Sequence, residues 1–86
     1  MTDSLFLQLS GRWVLGYDHL QWIILKRIGK TWRPIAFVGS TKRVLIRVLN
    51  EKGFLVTPEA RAVLNALPRT FVEWTKFHEL PDRRAA

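Results

Sequence analysis

The sequence predicts a small α+β domain, in which an antiparallel sheet of three to four strands is covered by a helix and followed by two C-terminal helices. Two apolar runs, residues 20–28 and 32–38, flank Gly29-Lys30. This spacing is typical of a β-hairpin with a type II′ loop, which needs glycine at its first central position. A capped amphipathic segment follows at residues 41–52. Strand patterns therefore precede helical ones, which favours segregated α+β over alternating architecture.

The length of 86 residues indicates one domain, residues 1–86, with ends at about 1–4 and 81–86 that we expect to fray. The apolar content of 48%, with four Trp and five Phe, favours a packed core over disorder. The chain has no cysteine, which excludes disulfides and cysteine-ligated zinc. No apolar run is long enough to predict a signal peptide or a membrane span, so we expect a cytoplasmic protein.

The N-terminal half reads as a series of short strands. Residues 5–9 form an apolar run that is either a strand or a helical turn. Residues 12–15 read as a strand that pairs back on it, and residues 16–18 as the next turn. Pro34 cannot donate a ladder hydrogen bond, so its strand is predicted to lie at a sheet edge.

The predicted loop also sets the register of the hairpin. On one face the expected pairs are Lys26–Arg33, Ile24–Ile35 and Trp22–Phe37; on the other they are Arg27–Trp32, Leu25–Pro34 and Ile23–Ala36. A three-residue loop would instead place Arg27 against Arg33. In either register positive charge concentrates at the hairpin tip, where like charges face each other unfavourably. Arg27 and Trp32 form a candidate cation–π pair.

Three helices are predicted in the C-terminal half. The first has Ser40 or Thr41 as N-cap and Gly53 as its C-terminal glycine. The second begins at Thr57-Pro58-Glu59 and ends near residues 67–68, and the third spans residues 69–80. The third helix is expected to bury Phe71, Trp74 and either Phe77 or His78. The core predicted from the hairpin and the first helix comprises Trp22, Ile24, Ile35, Phe37, Val44, Leu45, Val48 and Leu49.

Catalytic and metal-binding patterns are not recognisable in this sequence. His19 and His78 are far apart, and neither belongs to a metal-ligand spacing such as His-Glu-x-x-His. No serine lies in a nucleophile motif, and the seven carboxylates are scattered. We therefore predict that the protein is not an enzyme and binds neither cofactor nor metal.

The formal charge of +7 is the strongest global signal, and residues 26–47 contain seven basic residues and no acidic one. A positive field of this kind attracts nucleic acid, acidic proteins and anionic surfaces. The predicted site for nucleic acid or another anion comprises Lys26, Arg27, Lys30, Trp32, Arg33, Lys42, Arg43 and Arg47. Trp32 is either a stacking platform for an unpaired base or a structural cross-strand partner. The alternative for the basic residues is a solvated surface that maintains solubility.

Binding to protein is the second hypothesis, because an edge strand and surplus aromatic residues could dock a partner or a second copy of the chain. A homodimer is one form of this hypothesis. Without a helix-turn-helix, zinc-finger or RNP signature, the sequence does not distinguish DNA from RNA or indicate sequence specificity.

Short motifs along the chain resemble orphan proteins of bacterial phages and other mobile elements. The resemblance covers about half of the chain and is carried by residues 21–27, 32–35, 37–38, 40–42, Leu45, 57–60 and 66–68. It implies a role in the element's own DNA handling or, as in anti-CRISPR proteins, in blocking a host defence complex. No functional residue is transferred from this resemblance.

Overall fold

The computed structural model of this protein describes residues 4–76, which form four strands followed by three helices. The elements are β1 (Ser4–Ser10), β2 (Trp13–Tyr17), β3 (Trp22–Ile28), β4 (Thr31–Val38), α1 (Lys42–Glu51), α2 (Pro58–Asn65) and α3 (Phe71–Thr75). The strands form one antiparallel sheet in the order β1-β2-β3-β4. The predicted α+β class is confirmed, with all strands preceding all helices.

The connection between β2 and β3 lies later in the chain than predicted. β2 continues through Gly16 and Tyr17, which we had placed in the turn, and β3 begins only at Trp22. The turn is organised by Asp18, whose Oδ1 accepts hydrogen bonds from the amides of Leu20 at 2.7 Å and Gln21 at 2.9 Å. An aspartate that satisfies turn amides in this way competes well with strand pairing, so β2 ends at the residue before it.

The tip of the β3–β4 hairpin agrees with the predicted register. Ile28 pairs with Thr31 across Gly29-Lys30, and Gly29 has φ +64°. Lys30 has no positive φ, which is consistent with a type II′ loop rather than type I′. The predicted pairs Lys26–Arg33, Arg27–Trp32 and Leu25–Pro34 are confirmed.

Beyond Leu25 the predicted register is wrong by one residue. A β-bulge in β4 leaves Ile35 without a partner, and the observed pairs are Ile24–Ala36, Ile23–Phe37 and Trp22–Val38. Ile35 and Phe37, both predicted to be core residues, are 38% and 55% exposed, and Val38 is buried instead. The bulge directly follows Pro34, which lacks the amide proton for a regular ladder, and a bulge absorbs such an interruption on an edge strand.

Each helix begins at a threonine cap. The hydroxyl of Thr41 accepts from the amide of Val44 at 3.2 Å, so Thr41 rather than Ser40 caps α1. Thr57 and Thr70 cap α2 and α3 in the same way. α2 ends at Asn65, slightly before the predicted end, and α3 begins at Phe71 rather than at residue 69. α3 ends at Thr75 with Lys76 as its C-cap, before the predicted end at residue 80, and the predicted core positions Phe77 and His78 lie outside the described residues.

The main core lies between one face of the sheet and the helices. Trp22 is fully buried there, and its ring meets Phe71 and Trp74 with centroid distances of 5.3 and 6.0 Å. Val44 and Val48, which we had placed in the core, are half-buried and pack against its margin. The buried members are Leu9, Leu15, Tyr17, Trp22, Ile24, Val38, Leu45, Leu49, Ala60, Leu64, Leu67, Phe71 and Trp74.

The opposite face of the sheet carries a second, smaller apolar cluster, formed by Val14, Ile23 and Leu25 with Trp32 packed against them. No helix among the described residues contributes to this cluster. Phe37 lies on the same face, because it pairs with Ile23. We call this side of the sheet the outer face, defined by Val14, Ile23, Leu25, Trp32 and Phe37.

Truncation of a buried leucine on α1 tests the predicted covering of the sheet by this helix. Leu45 is fully buried, whereas Leu55 is 88% exposed. We expect Leu45→Ala to lower the free energy of unfolding by about 2–5 kcal/mol, because it leaves a cavity in the main core. Leu55→Ala should change it by less than about 0.5 kcal/mol. Urea unfolding followed by tryptophan fluorescence measures both, and equal effects would contradict the packing described here.

The Asp18 turn predicts a pH dependence of stability. Burial raises the pKa of this carboxyl, but hydrogen bonds from the Leu20 amide and from the Gln21 side chain and amide outweigh it, so the net pKa lies below its ordinary value of 3.8. A carboxyl with a depressed folded-state pKa contributes stability above its unfolded pKa and loses it as pH falls through the folded one. Asp18→Ala should therefore be less stable than the native chain at pH 7, and the difference should shrink below about pH 4. Urea unfolding across this pH range measures the difference, and one that stays constant would contradict the assignment.

Candidate nucleic-acid interface

Two hairpin turns lie side by side at one end of the sheet. In an antiparallel meander the first and third connections fall at the same end, so the turns Gly11-Arg12 and Gly29-Lys30 are neighbours. The Arg27 amide donates to the Arg12 carbonyl oxygen at 2.8 Å, which joins the first turn to β3 two residues before the second turn. We call this region the turn end, defined by its basic residues Arg12, Lys26, Arg27, Lys30 and Arg33.

The basic side chains of the turn end divide between the two faces of the sheet. Lys26 Nζ lies 5.3 Å from the ring centroid of Trp13, which in turn stacks on Phe54 at 4.4 Å and therefore belongs to the helical face. Arg33 pairs opposite Lys26, whereas Arg27 pairs opposite Trp32 on the outer face. The expected cation–π contact of Arg27 with Trp32 does not form; Arg27 Nε donates instead to the Gly29 carbonyl oxygen at 3.3 Å.

The charge of the turn end is not neutralised within the part of the chain that the structure describes. Arg12, Arg27, Lys30 and Arg33 are exposed, and none of them forms an ion pair with a carboxylate among residues 4–76. Arg12 and Arg27 also line a depression of about 380 Å³ together with Gly11 and Gly29. Two arginines beside two glycines, whose backbone no side chain covers, form a surface suited to a phosphate group.

Trp32 has a structural role in addition to its candidate binding role. Its side chain is half-buried and packs against Val14, Ile23 and Leu25 on the outer face. The residue is not fully covered, and it pairs opposite Arg27. Both sequence interpretations of this residue, cross-strand partner and stacking platform, are therefore compatible with its position.

The remaining predicted site residues lie on α1, which begins at the end of the sheet opposite the turn end. α1 begins just after Val38, which marks the opposite end of β4, so Lys42 and Arg43 are at the far end of the sheet. Lys42 Nζ donates to the carbonyl oxygens of Asn65 at 2.8 Å and Leu67 at 2.9 Å, and thereby caps the C-terminal end of α2. Arg43 and Arg47 are exposed.

The eight predicted residues thus form two groups rather than one surface. Lys26, Arg27, Lys30, Trp32 and Arg33 are together at the turn end, whereas Lys42 and Arg43 begin α1 at the opposite end of the sheet and Arg47 lies one turn further along that helix. Sequence reasoning missed Arg12, which joins the first group. The signal was present, because alternating connections of an antiparallel meander lie at the same end of the sheet and Arg12 follows Gly11 in the first of them.

Comparison of the chain with protein-family models, curated proteins and solved structures found no match. The interface is therefore interpreted from its own chemistry. Residues 4–76 contain no group of three or more His, Cys, Asp or Glu side chains placed to hold a metal ion. None of the helices in this range has the length and apolar character required to span a bilayer.

The position of Lys42 predicts that its main contribution is to stability. Lys42→Met removes two charge-assisted hydrogen bonds to the end of α2, and we expect it to lower the free energy of unfolding by about 1–3 kcal/mol. Lys52→Met, which makes the same change at an exposed position, should alter it by less than about 0.5 kcal/mol. Chemical denaturation compares the two variants, and equal stabilities would show that the Lys42 bonds contribute nothing measurable.

Proposed function

We propose that this protein binds nucleic acid without catalysis and that the turn end is its contact surface. The observation that carries the proposal is the grouping of five basic residues at one end of the sheet, in and beside two neighbouring turns, with no ion pair to a carboxylate among residues 4–76. Like charges this close repel one another in the free protein. A bound polyanion relieves that repulsion, so the ligand stabilises an arrangement that is unfavourable without it.

The dimensions of the turn end suit a nucleic-acid backbone. Its basic residues extend across the sheet from the β1–β2 turn, through β3, to β4. Neighbouring strands are about 4.8 Å apart, so the patch is on the order of 10–15 Å wide. A surface of this size reaches several successive phosphates, and each neutralised phosphate releases condensed counterions, which makes binding depend on salt.

A protein partner is the second candidate function. β4 is the last strand of the sheet formed by the described residues, and Arg33, Pro34 and Ile35 on it are all exposed. This edge exposes both a basic and two apolar residues, so it is suited to an acidic partner or to a nucleic-acid-associated complex. If the partner is such a complex, the protein could inhibit a host defence complex or serve a mobile element. These roles, and the expected cytoplasmic location, remain predictions.

A salt titration with matched charge variants tests nucleic-acid binding. The native chain should bind labelled duplex and single-stranded DNA with an affinity that falls steeply as salt rises. The variant R12Q/R27Q/K30Q removes three cations of the turn end. Its log–log salt slope should be shallower by about 2–3, because each lost phosphate contact contributes about 0.7–0.9 to the slope.

The matched control is R43Q/R47Q/R61Q, which removes the same charge from exposed positions on α1 and α2. It should retain most of the affinity and most of the salt slope. Equal losses in the two variants would mean that binding follows net charge rather than the turn end. No binding by the native chain at low salt would remove the proposal altogether.

A further inference from the structure

We infer that the preferred ligand is single-stranded nucleic acid, whose backbone contacts the turn end while its bases stack on Trp32 and Phe37 of the outer face. This inference rests on the proposed function and adds the class of strand and the surface that receives the bases. It depends on three features of the described residues: the exposure of Phe37, the apolar strip beside it, and the charge at one end of that strip.

Phe37 is an exposed aromatic residue on a strand, and the β-bulge is responsible for its position. Without the bulge, Phe37 would pair with Trp22 and enter the main core. With it, Phe37 pairs with Ile23 on the outer face and remains 55% exposed. Exposure of a phenylalanine at this level leaves ring surface available to a planar partner, and base–aromatic stacking is favourable for every base.

Trp32 and Phe37 lie at the two ends of one apolar strip. Their partners on β3 are Arg27 and Ile23, four residues apart, which places the two aromatic positions about 13 Å from each other along the strand direction. Leu25 and Pro34 pair between them, and neither side chain carries charge. Leu25 is only 3% exposed, so the nonpolar surface between the two aromatic rings is contributed by the exposed Pro34.

The positive charge at the Trp32 end of the strip favours a polyanion over an apolar ligand. Arg27 is directly opposite Trp32, and with Arg12 it lines the depression between the two turns. A phosphate held there is adjacent to the Trp32 end of the strip, so the attached base is within reach of the ring. The bases of a duplex are paired and stacked on one another, so binding to the strip would require the free energy of unstacking them. The bases of a single strand can stack on the aromatic rings without this cost.

Fluorescence anisotropy with a labelled 15-nucleotide oligo(dT) and a labelled 15-base-pair duplex tests the inference. Phe37→Leu keeps an apolar side chain but removes the aromatic face. It should weaken binding of oligo(dT) by roughly tenfold, which corresponds to the loss of one stacked base, and leave duplex binding unchanged. Leu20→Ala, at a residue that is 64% exposed in the β2–β3 turn, is the control and should change neither affinity.

The outcomes separate the inference from the proposed function. If Phe37→Leu changes neither affinity while R12Q/R27Q/K30Q weakens both, the turn end is the binding surface and base stacking is refuted. Stronger binding of duplex than of oligo(dT) by the native chain would also overturn the inference. If neither nucleic acid binds and light scattering shows a dimer that Phe37→Leu dissociates, the outer face is a protein interface and both proposals fail.

Discussion

The packing of Trp22 against the helical layer is the interaction on which the structure depends. Trp22 lies on an interior strand, is fully buried, and contacts both Phe71 and Trp74 of α3. Trp74 also meets Phe6 and Tyr17, so one aromatic cluster connects β1, β2, β3 and the last described helix. Such contacts between elements distant in sequence are what hold a five-residue helix that could not persist alone. The indole nitrogen of Trp22 is buried and has no hydrogen-bond partner among residues 4–76, a cost that this packing outweighs.

The β-bulge at Ile35 decides what each face of the sheet presents. It directs Val38 into the main core and Phe37 to the outer face, where the sheet carries apolar residues without a covering helix from the described part of the chain. A regular hairpin would have buried Phe37 beside Trp22. The bulge thus determines which side chains of β4 face the core and which remain accessible. Both proposals about function use the accessible side chains or the turn beside them.

The distribution of charge follows from topology more than from sequence position. The meander brings Arg12 beside Arg27 and Lys30, although 15 and 18 residues separate them in the chain. The helix that follows β4 begins at the opposite end of the sheet, which separates Lys42 and Arg43 from this group, and Lys42 is engaged in closing the end of α2. Proximity in sequence was therefore a poor guide to which basic residues share a surface, while the order of the strands was a good one.

The sequence by itself determined the α+β class, the type II′ loop, the Thr57 cap of α2, and the half of the hairpin register that lies nearest the loop. These features depend on local chemistry: glycine at a positive φ, hydroxyls that satisfy helix amides, and pairing that propagates from a turn. Only the tertiary structure decided that Ile35 and Phe37 are exposed and that Lys42 binds carbonyl oxygens. Each of these depends on a bulge or on a contact between distant segments, and neither leaves a periodic signal in the sequence.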